Sequence, residues 1–131
     1  MISLARRLGK LACALGAPGG DVDMPMQRLT AEEINTALHS LSGWSGNEKG
    51  LERRLEFEDF RGAMNFMQAC VEDIERLNHH PVWTNKYNGI DIHLDTFDIG
   101  NFVTELDINL ARAIDRILAE RGREFGLLDH D

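Results

Sequence analysis

Hydrophobic and polar positions follow two different rhythms along this chain, and each change of rhythm marks the edge of an element. Ile34, Leu38 and Leu41 recur at helical spacing. Just before them, Thr30 and Glu33 form a capping box. The Thr hydroxyl accepts the backbone N–H of Glu33, and the Glu33 carboxylate accepts that of Thr30. The pattern predicts a first helix over residues 31–41, ended by Ser42-Gly43. Trp44 then opens a short strand, Gly46-Asn47-Glu48-Lys49-Gly50 reads as a turn, and Leu51, Leu55 and Phe57 make a second strand. Arg53, Arg54, Glu56 and Glu58 supply its solvated positions. From Asp59 the longer period returns: Phe60, Ala63, Met64, Met67, Cys70, Val71, Ile74 and Leu77 predict one apolar face of a long helix. Pro81 forbids much continuation.

Residues 82–86 and 91–95 flank Tyr87-Asn88-Gly89-Ile90, a hairpin signal in which Asn-Gly is the favoured central pair of a type I′ turn. Ile90, Ile92 and Leu94 alternate with Asp91, His93 and Asp95, so one face of that strand is buried and the other polar. A loop over 97–103 leads to Thr104-Glu105-Leu106-Asp107, the capped start of a last helix. Leu110, Ala111, Ile114, Ile117 and Leu118 are its apolar stripe, and Gly122 is its expected stop. The order α-β-β-α-β-β-α implies a two-layer α+β domain, a four-stranded antiparallel sheet covered on one face by helices. The uncovered face and the strand edges make homo-oligomerisation an expectation.

Composition narrows the function classes. Of 131 residues, 22 are acidic and 14 basic, a net charge of -8, which argues against a nucleic-acid partner. Cys13 and Cys70 lack metal or redox spacing and read as two reduced thiols of a cytoplasmic protein. No apolar run reaches the ~18 residues of a membrane helix. Residues 1–15 carry Arg6, Arg7 and Lys10 among apolar positions, followed by the flexible Gly16-Ala17-Pro18-Gly19-Gly20-Asp21. Residues 1–25 are read as a leader and linker, with an organellar transit peptide as the other reading. The domain is expected over 26–122, with 123–131 as a frayed tail.

His79 and His80, adjacent where the long helix ends, are the sharpest candidates for chemistry. Partial negative charge at a helix C-terminus favours a cationic side chain. A pair of imidazoles suits a reaction in which one proton is given and another taken. Surface histidines capping the helix are the bland alternative.

Glu75-Arg76-Leu77-Asn78-His79-His80-Pro81, then Tyr87, then Asp95-Thr96 resembles the signature of the pterin-4a-carbinolamine dehydratase family. The resemblance covers roughly residues 30–118, including the 57–60 stretch, the Tyr-Asn turn and the cap before Asp107. It implies a hydro-lyase that dehydrates 4a-hydroxytetrahydrobiopterin to the quinonoid dihydropterin, without metal or organic cofactor. It makes His79 the leading acid/base residue, with His80 orienting or assisting and Asp107 completing the catalytic set. Glu75 would face the pterin, while Asn78, His79 and His80 on one side and Asp95, Thr96, Phe97 and Asp98 on the other would line the ligand site. A homodimer or homotetramer is the assembly it implies.

The pattern breaks at one position that matters. The family places a third catalytic histidine where this chain has Phe97, which can stack on a flat ring but carries no proton. The following loop is one residue longer than usual, and Val82 stands where many relatives are acidic. Asp98 or His93 could compensate, although His93 on the polar strand face reads more simply as a solvated histidine. Two functions stay open: a dehydratase working with two histidines, or a pterin-binding, dimerisation or protein-assembly factor on the same fold.

Overall fold

The computed structural model describes residues 26–128; residues 1–25, with Cys13 and the expected leader and linker, and residues 129–131 lie outside them. In chain order come α1 (Ala31–Leu38), β1 (Ser45–Asn47), β2 (Gly50–Glu56), α2 (Phe60–Leu77), β3 (Val82–Lys86), β4 (Gly89–Leu94), a 3-10 turn (Phe97–Ile99) and α3 (Glu105–Phe125). All neighbouring strands are antiparallel, in the spatial order β1-β2-β4-β3. The two hairpins therefore join through β2 and β4, and β3 is an edge. Leu51, Leu55, Ile90, Ile92 and Leu94 turn inward and are buried with the apolar faces of α2 and α3. Glu52, Arg54, Asp91 and His93 take the opposite face, as strand alternation requires. This is the two-layer α+β arrangement that the order of elements implies.

Several local expectations need correction. The α1 helix stops at Leu38, because residues 39–41 tighten into i to i−3 bonds (His39 N–H to the Thr36 carbonyl at 3.3 Å, Leu41 N–H to the Leu38 carbonyl at 3.2 Å). Leu41 is still buried. The buried stripe of α2 is Ala63, Phe66, Cys70 and Ile74, whereas Phe60 and Val71 are exposed on its flanks. Sheet and α3 cover a narrower arc of this helix than its hydrophobic residues span. At the β3–β4 hairpin the two central residues are Tyr87 and Asn88, with Tyr87 left-handed (φ 53°), not Asn88-Gly89. Asn88 is held by β2's end: its carbonyl accepts from the Phe57 N–H at 2.9 Å and its side-chain amide donates to the Phe57 carbonyl at 2.8 Å. Gly122 does not end α3. It is buried inside the helix, where a Cβ would come within 3.0 Å of the Leu127 side chain, and the stop is Gly126 at φ 78°. Residues 127–128 bond back to Gly122 and Glu56, so residues 123–128 pack with the domain.

Half-buried Asp115 of α3 accepts from Trp44 Nε1 and Arg53 Nη1, both at 2.7 Å, tying helix to sheet. Burial pushes its carboxyl up from the ordinary value, with Trp44 and Arg53 opposing. Burial likewise raises the Cys70 thiol to about 12, with Asp73 adding to it, so that the sulfur is a packing atom rather than a nucleophile. Among the described residues no helix is long and apolar enough to cross a membrane. The start of α2 crosses the end of α3 at Gly62, where a Cβ would lie 2.1 Å from the Phe125 carbonyl oxygen. Gly62→Ala is therefore expected to push the helices apart and cost ~1–3 kcal/mol, measurable as a lower urea midpoint at unchanged slope.

Candidate active site

Helix α2 ends because Asn78 turns left-handed (φ 51°, ψ 43°), a conformation that asparagine tolerates better than most residues. The Asn78 and His79 N–H groups then bond back to Glu75 and Ile74 carbonyls at 3.1 and 3.3 Å. This reversal sends the adjacent imidazoles apart. His79 is only 8% exposed, while His80 stays in solvent, its Nε2 donating to Glu75 Oε2 at 3.1 Å.

The His79 ring meets the start of α3. Its Nε2 lies 2.6 Å from Asp107 Oδ1, and because a carboxylate only accepts, Nε2 carries the hydrogen. The second oxygen of Asp107 is also committed: Oδ2 accepts from the Thr96 hydroxyl at 2.8 Å and from the Thr104 N–H at 2.9 Å. The Thr104 hydroxyl lies 2.7 Å from that of Thr96 and accepts from the Leu106 N–H at 3.1 Å. Since the Thr96 hydrogen goes to Asp107, Thr104 donates to Thr96, and both hydroxyls and both carboxylate oxygens of this chain of bonds are paired. The N-terminus of α3 supports negative charge on Asp107. The same carboxylate therefore caps a helix and holds a histidine in one tautomer, the orienting role an aspartate plays in a catalytic triad. His79 Nδ1 has no hydrogen-bond partner among the described residues, so it is the nitrogen left for proton exchange.

The expected site residues thus separate into groups. His79, Thr96 and Asp107 form one buried network, and His80 with Glu75 an exposed pair. Asp95 is occupied elsewhere: it accepts from His93 Nε2 at 2.9 Å and from Asn101 Nδ2 at 3.2 Å. Asn78, Phe97 and Asp98 are exposed, Phe97 at 79%. Thr104 was legible as a helix cap, but not as a member of the network. His93 is not a freely solvated histidine; Glu52 and Asp95 hold both of its ring nitrogens. A groove of about 350 Å³ between α1 and α3, bordered by Glu32, Glu33, Glu105 and Arg112, contains none of the expected site residues. Among the described residues no cluster of His, Cys, Asp and Glu could hold a metal ion.

Fold and site together define a class: a two-layer α+β protein whose long helix ends on a buried, carboxylate-oriented histidine beside an exposed one. The chain belongs to the pterin-4a-carbinolamine dehydratase family; the family's sequence model, described as pterin 4 alpha carbinolamine dehydratase, matches residues 27–117. A Brucella ovis protein provisionally named as such a dehydratase is 42% identical over 96 residues, covering 72% of this chain and 98% of the relative. One from Opitutus terrae with the same provisional name is 40% identical over 89 residues, covering 68% and 92%. A crystal structure of a transcriptional coactivator/pterin dehydratase from Brucella melitensis superposes with a TM-score of 0.65 at 42% identity, covering 70% of this chain and 98% of that one.

Proposed function

We propose that this protein dehydrates a 4a-hydroxytetrahydropterin, with 4a-hydroxytetrahydrobiopterin as the representative substrate. The observation that carries this is the His79–Asp107 pair, a buried ring in one tautomer whose Nδ1 has no partner among the described residues. In the reaction the C4a–O bond breaks as the hydroxyl takes a proton and leaves as water. The N5 hydrogen departs to a base, and its electron pair closes the C4a=N5 double bond of the quinonoid product. One imidazole gives a proton and the other takes one, so the total charge of the pair is unchanged, and proton exchange with water resets each ring before the next turnover. His79 Nδ1 serves one transfer, and His80, held by Glu75, serves the other or orients the ring. Each well-placed acid or base contributes ~10²–10⁴-fold.

A second reading has its own support. Phe97, 79% exposed at the position where the family resemblance implies a histidine, can stack on a pterin but moves no proton. Under that reading the protein binds pterin or serves in assembly without turnover. The two are separated by following the carbinolamine's ultraviolet signal with purified protein. We expect turnover above the uncatalysed rate, rising ~10-fold or more in Phe97→His. A rate equal to the uncatalysed one, with pterin still bound, removes the dehydratase and leaves the binding protein. The edge strand β3 and exposed Phe60 and Val71 on α2 support self-association, expected as a dimer or tetramer by sedimentation.

A further inference from the structure

On the outer sheet face, away from His79, a second histidine is held more completely than a solvated side chain needs. His93 of β4 has Nδ1 2.6 Å from Glu52 Oε2 and Nε2 2.9 Å from Asp95 Oδ2. Glu52 reaches it from the facing position of β2, and Asp95 from two residues further along the chain, just past the end of β4. On the other side its β3 neighbour is Val82, and beyond Glu52 lies Ser45 of β1, neither of them charged. The next rung is the Arg54–Asp91 ion pair, Arg54 also meeting Glu56. The ring lies against Gly50, where a Cβ would sit 2.2 Å from His93 Cε1.

A neutral imidazole has one N–H, yet two ionised oxygens here each need a donor. The geometry fits the imidazolium alone. Partial burial works against the charge, but bonds and charges from Glu52 and Asp95 outweigh it, so the group titrates above the ordinary value of 6.5.

Asp95 passes this hold to the site. It also accepts from Asn101, closing the 96–101 loop that carries Phe97 and Asp98. The next residue, Thr96, points to the opposite face and donates to Asp107, the partner of His79. The end of β4 is therefore clamped on both faces, by His93 outside and by Asp107 inside. We propose that His93 is a positioning residue for this site: as a cation between Glu52 and Asp95 it fixes the chain at 95–96, and through Thr96 the placement of Asp107 and His79. When His93 loses its proton, one ring lone pair faces a carboxylate. Glu52, with its side chain 60% exposed against 15% for Asp95, is the one that withdraws. Asp95 then keeps at most a neutral partner, and the clamp slackens. The clamp is fully present below pH 6.5 and lost as pH rises through the raised value.

The role in turnover rests on the dehydratase reading; the clamp itself does not. The test is a histidine and amide NMR titration of the full chain, beside a kcat/KM profile against pH. We expect His93 to titrate above 6.5, with the Thr96 and Asp107 amides following the same curve. Glu52→Gln, which keeps an acceptor and removes the charge, should move that curve to lower pH. In His93→Gln the curve should vanish from both amides, and kcat/KM should fall ~5–10-fold with its alkaline decline removed. A His93 that titrates at or below 6.5, or Thr96 and Asp107 amides indifferent to it, overturns the proposal. Wild-type protein without turnover removes the dehydratase reading alone, and the amide titration still decides for or against His93.

Discussion

Asp107→Asn is expected to lower kcat by ~10²–10⁴-fold while leaving the fold intact. The reason is the distribution of donors around the carboxylate. Oδ2 accepts from both the Thr96 hydroxyl and the Thr104 N–H, and Oδ1 from His79. An asparagine must keep its oxygen on the two-donor side, which turns its NH₂ toward His79. His79 Nε2 then has to accept, the hydrogen moves to Nδ1, and the nitrogen left for the pterin is in the wrong protonation state. His79→Ala should also lower turnover, by at least ~10-fold, but it leaves a buried carboxylate oxygen without its donor, at ~1–3 kcal/mol. The asparagine variant is the cleaner probe, because it is nearly isosteric. Stopped-flow rates, with circular dichroism as the control for folding, decide the matter. An Asp107→Asn protein turning over at the wild-type rate would show that the pair is only a helix cap.

The largest effect on stability is expected at Phe66. Its ring lies 5.4 Å from Phe57, 6.5 Å from Trp83 and 6.4 Å from Phe125, centre to centre, the last two edge-on. It therefore joins α2 to the end of β2, to the edge strand and to the last turn of α3. It is fully buried, so Phe66→Ala removes a ring that no neighbour can replace. The cost is ~3–5 kcal/mol for such a truncation, a large part of the ~5–15 kcal/mol that holds a domain of this size together. Calorimetry should show Tm lower by at least ~12 °C. A fall of only a few degrees would mean that the three surrounding rings collapse into the space. Phe60→Ala on the same helix, exposed rather than buried, should change little in the monomer.

Phe66 also shows the limit of reading periodicity. Apolar residues occupy so much of the α2 circumference that spacing alone does not say which arc is covered. The expected face took in Phe60 and Val71, which are exposed, and omitted Phe66 at its centre. The turn at 87–88 is a similar case. Asn-Gly is the stronger local signal, yet two bonds from Asn88 to Phe57 set the turn one residue earlier. Gly122 read as a helix stop, and is instead the small residue that lets Leu127 fold back onto α3.

What the chain determines by itself is local and covalent. The capping boxes at Thr30 and Thr104, the end of α2 before Pro81, and the alternation in β4 each depend on residues within a few positions of one another. The motif around His79 and His80 is equally local, and sufficed to indicate the family. Only the tertiary structure decided how the two histidines differ. His79 meets a carboxylate 28 residues away because the end of α2 and the start of α3 come together, and His93 meets Glu52, 41 residues away, across two strands. Burial, tautomer and partner are properties of contacts between distant segments, and the spacing of residues along a chain carries no record of them.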